Sequence, residues 1–226
     1  LEAVSYSLDE MPDEQSHLPL NIQEWGMLDR DRSERILASN LAEDDSFEGA
    51  YVQALLQEIP AESLLFSANS MAIRAVDEFY FTRGKRLTVL ANRGLNGIDG
   101  TVSSAFGAAQ EFKQTVFLTG DLTFLHDMNA LALQGEMLLQ EKEGMHRPSI
   151  VIVLLNNQGG AIFDMLPQQS KEAYFERLFL TPQHVDFCAV EDFRRALTKN
   201  FELPGISLVE VTVPLQGVKE RYGRYR

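Results

Sequence analysis

Cysteine is nearly absent. Cys188 stands alone among 226 residues, so the chain holds no internal disulfide and suits a reducing compartment. A single cysteine of this kind reads as a small buried apolar residue rather than as a nucleophile. Positive charge is scarce too. Twenty Lys and Arg face 33 Asp and Glu, a net charge of −13, which argues against nucleic acid or an anionic membrane as partner. An anionic ligand would have to be held by local cations or backbone N–H groups. No apolar run approaches the roughly 18 residues of a membrane span. No signal peptide, internal repeat or low-complexity tract is visible. The histidines His17, His126, His146 and His184 are scattered and read as surface or capping residues, with His126 kept as a candidate because it follows the Asp121 turn. There is no Gly-x-x-x-x-Gly-Lys-Ser/Thr, no Gly-x-Gly-x-x-Gly after a strand, and no Gly-x-Ser-x-Gly around Ser103 and Ser104.

What is present is an α/β pattern. Hydrophobic residues make up 45% of the chain, enough for a sizeable core. Five short apolar runs read as strands: 63–67, 86–91, 115–119, 149–155 and 207–213. Helical spacing over 47–59 ends at Pro60, and a second helix follows Asn69-Ser70 with Met71, Ile73, Arg74, Val76 and Phe79. A third, built of small residues, spans Ser103 to Ala109, and a long one runs from Phe124 to Glu143. An amphipathic stretch covers Gln168 to Phe179. The expected fold is a mostly parallel sheet with helices on both faces. Residues 1–45 are acidic and poorly periodic. They read as a linker with one short helix near Trp25, itself a packing anchor, at the edge of a preceding domain; residues 46–226 form the main domain. The first residue is Leu1 rather than Met, so the chain reads as a piece of a longer protein.

Four strands in succession end in polar or glycine-rich loops: Asn69-Ser70, Asn92 to Gly100, Gly120-Asp121-Leu122, and Asn156-Asn157-Gln158-Gly159-Gly160. The repetition points to one functional edge, because ligands of open α/β sheets bind at the carboxyl ends of strands. Asp121 offers a carboxylate and Asn157 an amide oxygen beside glycines that let a phosphate come close. Hard oxygen donors of this kind suit magnesium on a diphosphate. The same residues also read as a helix cap and a plain turn.

The Gly-Asp…Asn-Asn pair resembles the signature of thiamine-diphosphate enzymes. The resemblance implies that Asp121, Asn157 and the carbonyl of Gly159 hold Mg2+, with Mn2+ as the alternative ion. The interval of 33 residues between Leu122 and Asn156 exceeds the usual spacing, with the surplus expected around Glu141 to Pro148. A closer likeness joins Asn69-Ser70-Met71…Arg74, Asn92-Arg93-Gly94…Asn96-Gly97-Ile98-Asp99-Gly100, Gly120-Asp121-Leu122…His126-Asp127-Met128-Asn129, and Asn156 to Phe163 with Leu166-Pro167. From residue 45 or so onward the chain resembles the C-terminal portion of the 2-succinyl-5-enolpyruvyl-6-hydroxy-3-cyclohexene-1-carboxylate synthase family of menaquinone and phylloquinone biosynthesis. That likeness implies decarboxylation of 2-oxoglutarate on thiamine diphosphate and addition of the succinyl-semialdehyde carbanion to isochorismate. It implies that Ile98 wedges the cofactor into its bent shape, and that Gly120, Leu122 and Gly159 flank it. Ser70, Arg74 and Arg93 would contact isochorismate, and Ile162 with Phe163 would form an apolar pocket wall. Fixed arginines suit dicarboxylate substrates in so acidic a chain; read without the family, Arg74 is a solvated helix residue and Arg93 a turn residue. It further implies a cytoplasmic enzyme (plastidic in a eukaryotic phototroph), a homodimer or homotetramer, completed by an N-terminal pyrimidine-binding domain that carries the activating glutamate.

Two departures stand out. Nothing here corresponds to that pyrimidine domain, so this chain alone is expected to be inactive and prone to associate. After Phe187 the chain runs almost directly into Val190-Glu191-Asp192-Phe193, about a dozen residues short of the family pattern, read as an omitted segment. The rival readings are another thiamine-diphosphate enzyme, such as an acetolactate synthase or a 2-oxoacid decarboxylase, and a non-catalytic domain of the same fold.

Overall fold

A computed structural model of the chain describes residues 20–81, 84–144, 146–167 and 172–225. The expected linker over residues 1–19, His17 and the start of the Gln168 stretch lie outside the described residues. Five strands form one sheet in the order β2-β1-β3-β4-β5: β1 is Leu64–Ser67, β2 Thr88–Ala91, β3 Gln114–Gly120, β4 Ser149–Asn156 and β5 Gly205–Thr212. Every pairing is parallel. Residues 150–156 of β4 are buried without interruption. Side chains alternate faces along a strand, so unbroken burial means that both faces of the sheet are covered. β2, an edge strand, is exposed instead, with Val89 and Leu90 each more than a third accessible.

The strand order places the site. The chain leaves β1 for β2 on one side, then crosses back over β1 to β3. With right-handed crossovers the connecting helices α3 (Met71–Phe79) and α4 (Thr101–Ala109) fall on opposite faces. The reversal opens a crevice between the carboxyl ends of β1 and β3, where this strand order binds its ligands. Those ends carry Asn69-Ser70 and Gly120-Asp121.

Before the sheet lie α1 (Leu20–Leu37) and α2 (Glu48–Glu58). Instead of one short helix, α1 runs 18 residues. It makes local bonds such as Arg35–Asp31 at 3.1 Å and Ser33 Oγ to the Asp29 carbonyl, and near its end Ile36 enters the core while Trp25, Met27 and Leu28 stay exposed. Trp25 is 74% exposed, so it anchors no packing among the described residues. α2 is buried along most of its length. Phe47, just before it, meets Phe79 and Tyr222 edge-on and stacks on Tyr225. This cluster joins α2, α3 and the C-terminal helix α9 (Val218–Gly223).

The long helix expected over Phe124 to Glu143 is broken in three. α5 covers Asp121–His126, a 3-10 turn covers Met128–Ala132, and α6 covers Leu133–Lys142. The break falls at Asp127, whose carboxylate turns away to accept from the Ser103 N–H at 2.8 Å and its hydroxyl at 3.1 Å. A carboxylate spent on the start of α4 cannot stay on the outside of a straight helix. Cys188 is exposed rather than buried. Its backbone is held at the sheet end by Glu210, and the neighbouring Ala189 makes one isolated parallel bridge with that residue. The remaining elements are 3-10 turns at Asn40–Glu43 and Ala161–Met165, a helical turn α7 (Glu172–Phe175) running into a π-helical turn Glu176–Leu180, and α8 (Phe193–Phe201), capped by Asp192 through the Arg195 N–H at 3.0 Å.

Close packing around Phe47 is testable at Gly49. A Cβ there would lie 2.5 Å from the Phe47 ring and 3.0 Å from Phe79. Overpacking costs about 1–3 kcal/mol, more than the roughly 1 kcal/mol that Ala gains over Gly in a helix. Gly49→Ala should therefore lower the urea unfolding midpoint; an unchanged or higher midpoint would show that the cluster yields.

Candidate functional site

The carboxyl ends of β1, β2, β3 and β4 converge on one cavity of about 390 Å³. Ser70 and Arg74 line it from the β1 end, Arg93 and Ile98 from the β2 loop. Gly120, Asp121 and Leu122 contribute from the β3 end, and Asn157, Gly159, Ile162 and Phe163 from the β4 end. Every residue expected at the site except the candidate His126 thus reaches the same wall. His126 lies 3.4 Å from Asp99, half-exposed, outside the cavity lining.

Cross-links between the loops hold this shape. Asn69 donates to the Gly97 carbonyl at 2.7 Å and accepts from Arg93 at 2.7 Å, tying the first loop to the second. Asp127 ties α4 to α5. Asn156 accepts from the Gln158 N–H at 2.9 Å and donates to the Val185 carbonyl and to Glu210, each at 2.7 Å. Glu210 is fully buried, and its second oxygen accepts from the Phe187 N–H at 2.9 Å and from the Cys188 N–H. The loop after β4 is therefore shaped by a carboxylate on β5 that lies off the cavity.

The backbone is strained at two of these ends. Ser70 has φ 67° and Gln158 φ 58°, values costly for residues with a Cβ and concentrated at functional sites. Gly159 is packed so closely that a Cβ would strike the Leu180 carbonyl, and its own amide bonds the Asn157 side-chain oxygen at 3.2 Å. The β2 loop is less constrained than three glycines suggest: of Gly94, Gly97 and Gly100, only Gly100 has positive φ, at 59°.

Asp121 is 2% exposed, and its Oδ2 has no hydrogen-bond partner. Burial pushes its pKa up to about 6, against the opposing pull of the Leu122, Asp121 and Gly159 N–H groups. A buried carboxylate oxygen left unpaired beside an amide oxygen and a sterically closed glycine fits a divalent cation. Among the described residues no three His, Cys, Asp or Glu side chains cluster as a metal site. The fit is of the kind magnesium makes, with few protein oxygens and the rest from phosphate and water. Arg74 donates to the Ser70 carbonyl at 3.0 Å and Arg93 to Asn69, and among the described residues neither is paired with a carboxylate. In an acidic chain, two unpaired guanidinium groups on a cavity wall make a site for anions. Sequence reasoning missed Glu48, Met71 and Thr123 on that wall. Glu48 sits at the start of a helix that precedes the sheet, and no local signal marks it.

No family model matches the chain. Curated relatives do. A 2-succinyl-5-enolpyruvyl-6-hydroxy-3-cyclohexene-1-carboxylate synthase from Desulfitobacterium hafniense is 44% identical over 201 residues, which is 82% of this chain and 35% of that protein. The synthase of the same name from Oceanobacillus iheyensis is 41% identical over 183 residues, 75% of this chain and 30% of that protein. Over the matched residues the chain is similar to this synthase family. It spans about a third of the length of the curated relatives it matches. Among solved structures, the thiamine diphosphate-dependent 4-hydroxybenzoylformate decarboxylase of Rhodococcus jostii superposes with a TM-score of 0.54 at 15% identity, covering 74% of this chain and 32% of that one. A thiamin diphosphate-dependent enzyme of Mycobacterium smegmatis gives 0.50 at 17% identity, covering 76% and 32%. These likenesses show the fold, an α/β domain shared with those two enzymes.

The strain stored at Asp121 has a measurable sign. Its raised pKa means that the native state holds a proton the unfolded chain has released between about pH 4 and 6. Stability of the metal-free protein therefore falls across that window as pH rises, and the full penalty remains above it. Asp121→Asn should raise the metal-free melting temperature at pH 7.5, by on the order of 1–3 kcal/mol of stability, and the gain should vanish near pH 3.5. Equal melting at pH 7.5 would show that the carboxylate carries no burial strain.

Proposed function

We propose that residues 46–226 are the thiamine-diphosphate- and magnesium-binding part of a synthase acting on 2-oxoglutarate and isochorismate. The observation that supports this most directly is the convergence of Asp121, Asn157 and Gly159 with Arg74 and Arg93 on one cavity. The synthases that match the chain are named for the product of this reaction. Asp121, the Asn157 amide oxygen and the Gly159 carbonyl would hold Mg2+, or Mn2+ in its place. Gly120 and Leu122 would flank the diphosphate, and Ile98 would support the bent cofactor. When bound, thiamine diphosphate supplies the nucleophilic carbon for decarboxylation and carbon–carbon bond formation.

The chain's own residues do the rest. Arg74 and Arg93 would receive substrate carboxylates, each guanidinium offering a fork of donors, with the Ser70 hydroxyl beside them. Ile162 and Phe163 would exclude water from the reacting carbon. Phe163 is held by an edge-on contact with Phe179, which stacks on Phe175. Asp164 steadies the same segment by accepting from the Val218 N–H at 2.9 Å. A pyrimidine-binding domain outside this chain would complete the site, within a homodimer or homotetramer. The reading places the protein in the cytoplasm or, in a phototrophic eukaryote, the plastid. No helix among the described residues is long and apolar enough to cross a membrane.

Two substitutions in the full-length protein separate the two halves of the reading. Asp121→Ala should abolish magnesium-dependent binding of thiamine diphosphate in calorimetry, and unchanged affinity would move the metal elsewhere. Arg93→Ala should leave cofactor affinity nearly intact but lower kcat/KM for isochorismate by about 2–5 kcal/mol of transition-state stabilisation. Normal isochorismate kinetics in that variant would remove Arg93 from substrate binding.

A further inference from the structure

Glu48 is a buried carboxyl that the proposed reaction does not use. It lines the cavity, is 0% exposed, and neither of its oxygens has a hydrogen-bond partner. Native proteins rarely leave a buried polar group unsatisfied, and such a group usually awaits a water, an ion or a ligand. The nearby charges do not resolve it. Arg221, on α9, donates to the Gln216 carbonyl and to the Pro214 carbonyl at 2.8 Å, and it makes no salt bridge with Glu48. Asp44, just before α2, adds a repulsive charge. Arg74, Arg93 and Asp121 line the same cavity. Holding an unpaired carboxylate out of water costs far more than holding the neutral acid. Burial accordingly raises the Glu48 pKa, outweighing the attraction of Arg221. A neutral carboxyl has something a carboxylate lacks: an O–H to donate.

We propose that Glu48 is a ligand-binding residue of the cavity, donating its carboxyl O–H to an anionic oxygen of the bound guest. The guest class is a dicarboxylate, an assignment that rests on the proposed function. The same position explains why an acidic chain tolerates a glutamate on the wall of an anion site. As a neutral donor it adds a hydrogen bond to those of Arg74 and Arg93 without adding a repelling charge. Once ionised, it would oppose the guest.

The test is calorimetric titration of the full-length protein, loaded with magnesium and thiamine diphosphate, with succinate, a dicarboxylate that lacks the reactive keto group. Wild type, Glu48→Gln, Glu48→Ala and Arg93→Ala are compared from pH 5 to 8. With affinity referred to the succinate dianion at each pH, wild-type affinity should fall with rising pH once Glu48 ionises, because binding must then take up a proton. Glu48→Gln keeps a donor and cannot ionise, so its affinity should stay within threefold of the wild-type low-pH value and be flat with pH. Glu48→Ala should lose about tenfold at pH 5, with an unchanged fold by circular dichroism. A pH slope in Glu48→Gln equal to that of wild type, or full affinity in Glu48→Ala, overturns the proposal. So does a wild-type protein that binds magnesium and cofactor but no succinate. Magnesium-dependent cofactor binding, measured first on the same samples, and the Arg93→Ala titration judge the broader functional reading separately.

Discussion

Parallel pairing is the constraint on which everything else in this structure depends. Five strands aligned in one direction bring all their carboxyl ends to one edge, whatever the loops contain. The reversal of strand order beside β1 then opens a crevice at that edge. Four loops separated by dozens of residues become one wall, and short hydrogen bonds such as Asn69 to Gly97 and Arg93 to Asn69 keep them in register. The cavity follows from topology first and from side chains second.

That wall is held at the expense of stability. Asp121 keeps an unpaired oxygen in a buried position, Glu48 keeps two, and Ser70 and Gln158 hold unfavourable backbone angles. Each is a local conflict of the kind that natural proteins tolerate where a ligand will resolve it. The compensation lies in the rest of the fold. β4 is buried along nearly its whole length, the aromatic cluster of Phe47, Phe79, Tyr222 and Tyr225 joins α2 and α3 to the C-terminal helix, and Glu210 satisfies three donors at the end of β5. A rigid frame lets a few groups stay unsatisfied without the loops collapsing onto them.

Short contiguous signals carried much of this in the sequence itself. The apolar runs marked the five strands to within a residue or two at most ends. The polar loops after them marked one edge of the sheet, and every candidate residue drawn from those loops lines the cavity. These features were legible because strand burial and strand-end chemistry are local in the chain. The errors were equally consistent. The unbroken helix over Phe124 to Glu143, the anchoring Trp25 and the buried Cys188 were all judged from local pattern, and each was overruled by a distant partner or by the absence of one. Asp127 answers to Ser103, 24 residues away, and the Cys188 backbone answers to Glu210, 22 residues away.

Glu48 marks the boundary most clearly. Its residue type and helical position were plain in the sequence. Only the packing of α2 against α3, with Phe47 set on Tyr222, brings it to the cavity and removes it from water. The sequence by itself determined the parallel α/β class, the order of the strands along the chain and the donor types at their ends, because these depend on residues adjacent in the chain. The tertiary structure alone decided which strands are neighbours, which helix breaks and which carboxyls are buried without a partner. Those outcomes depend on contacts between residues far apart in the chain, whose strength no local pattern records.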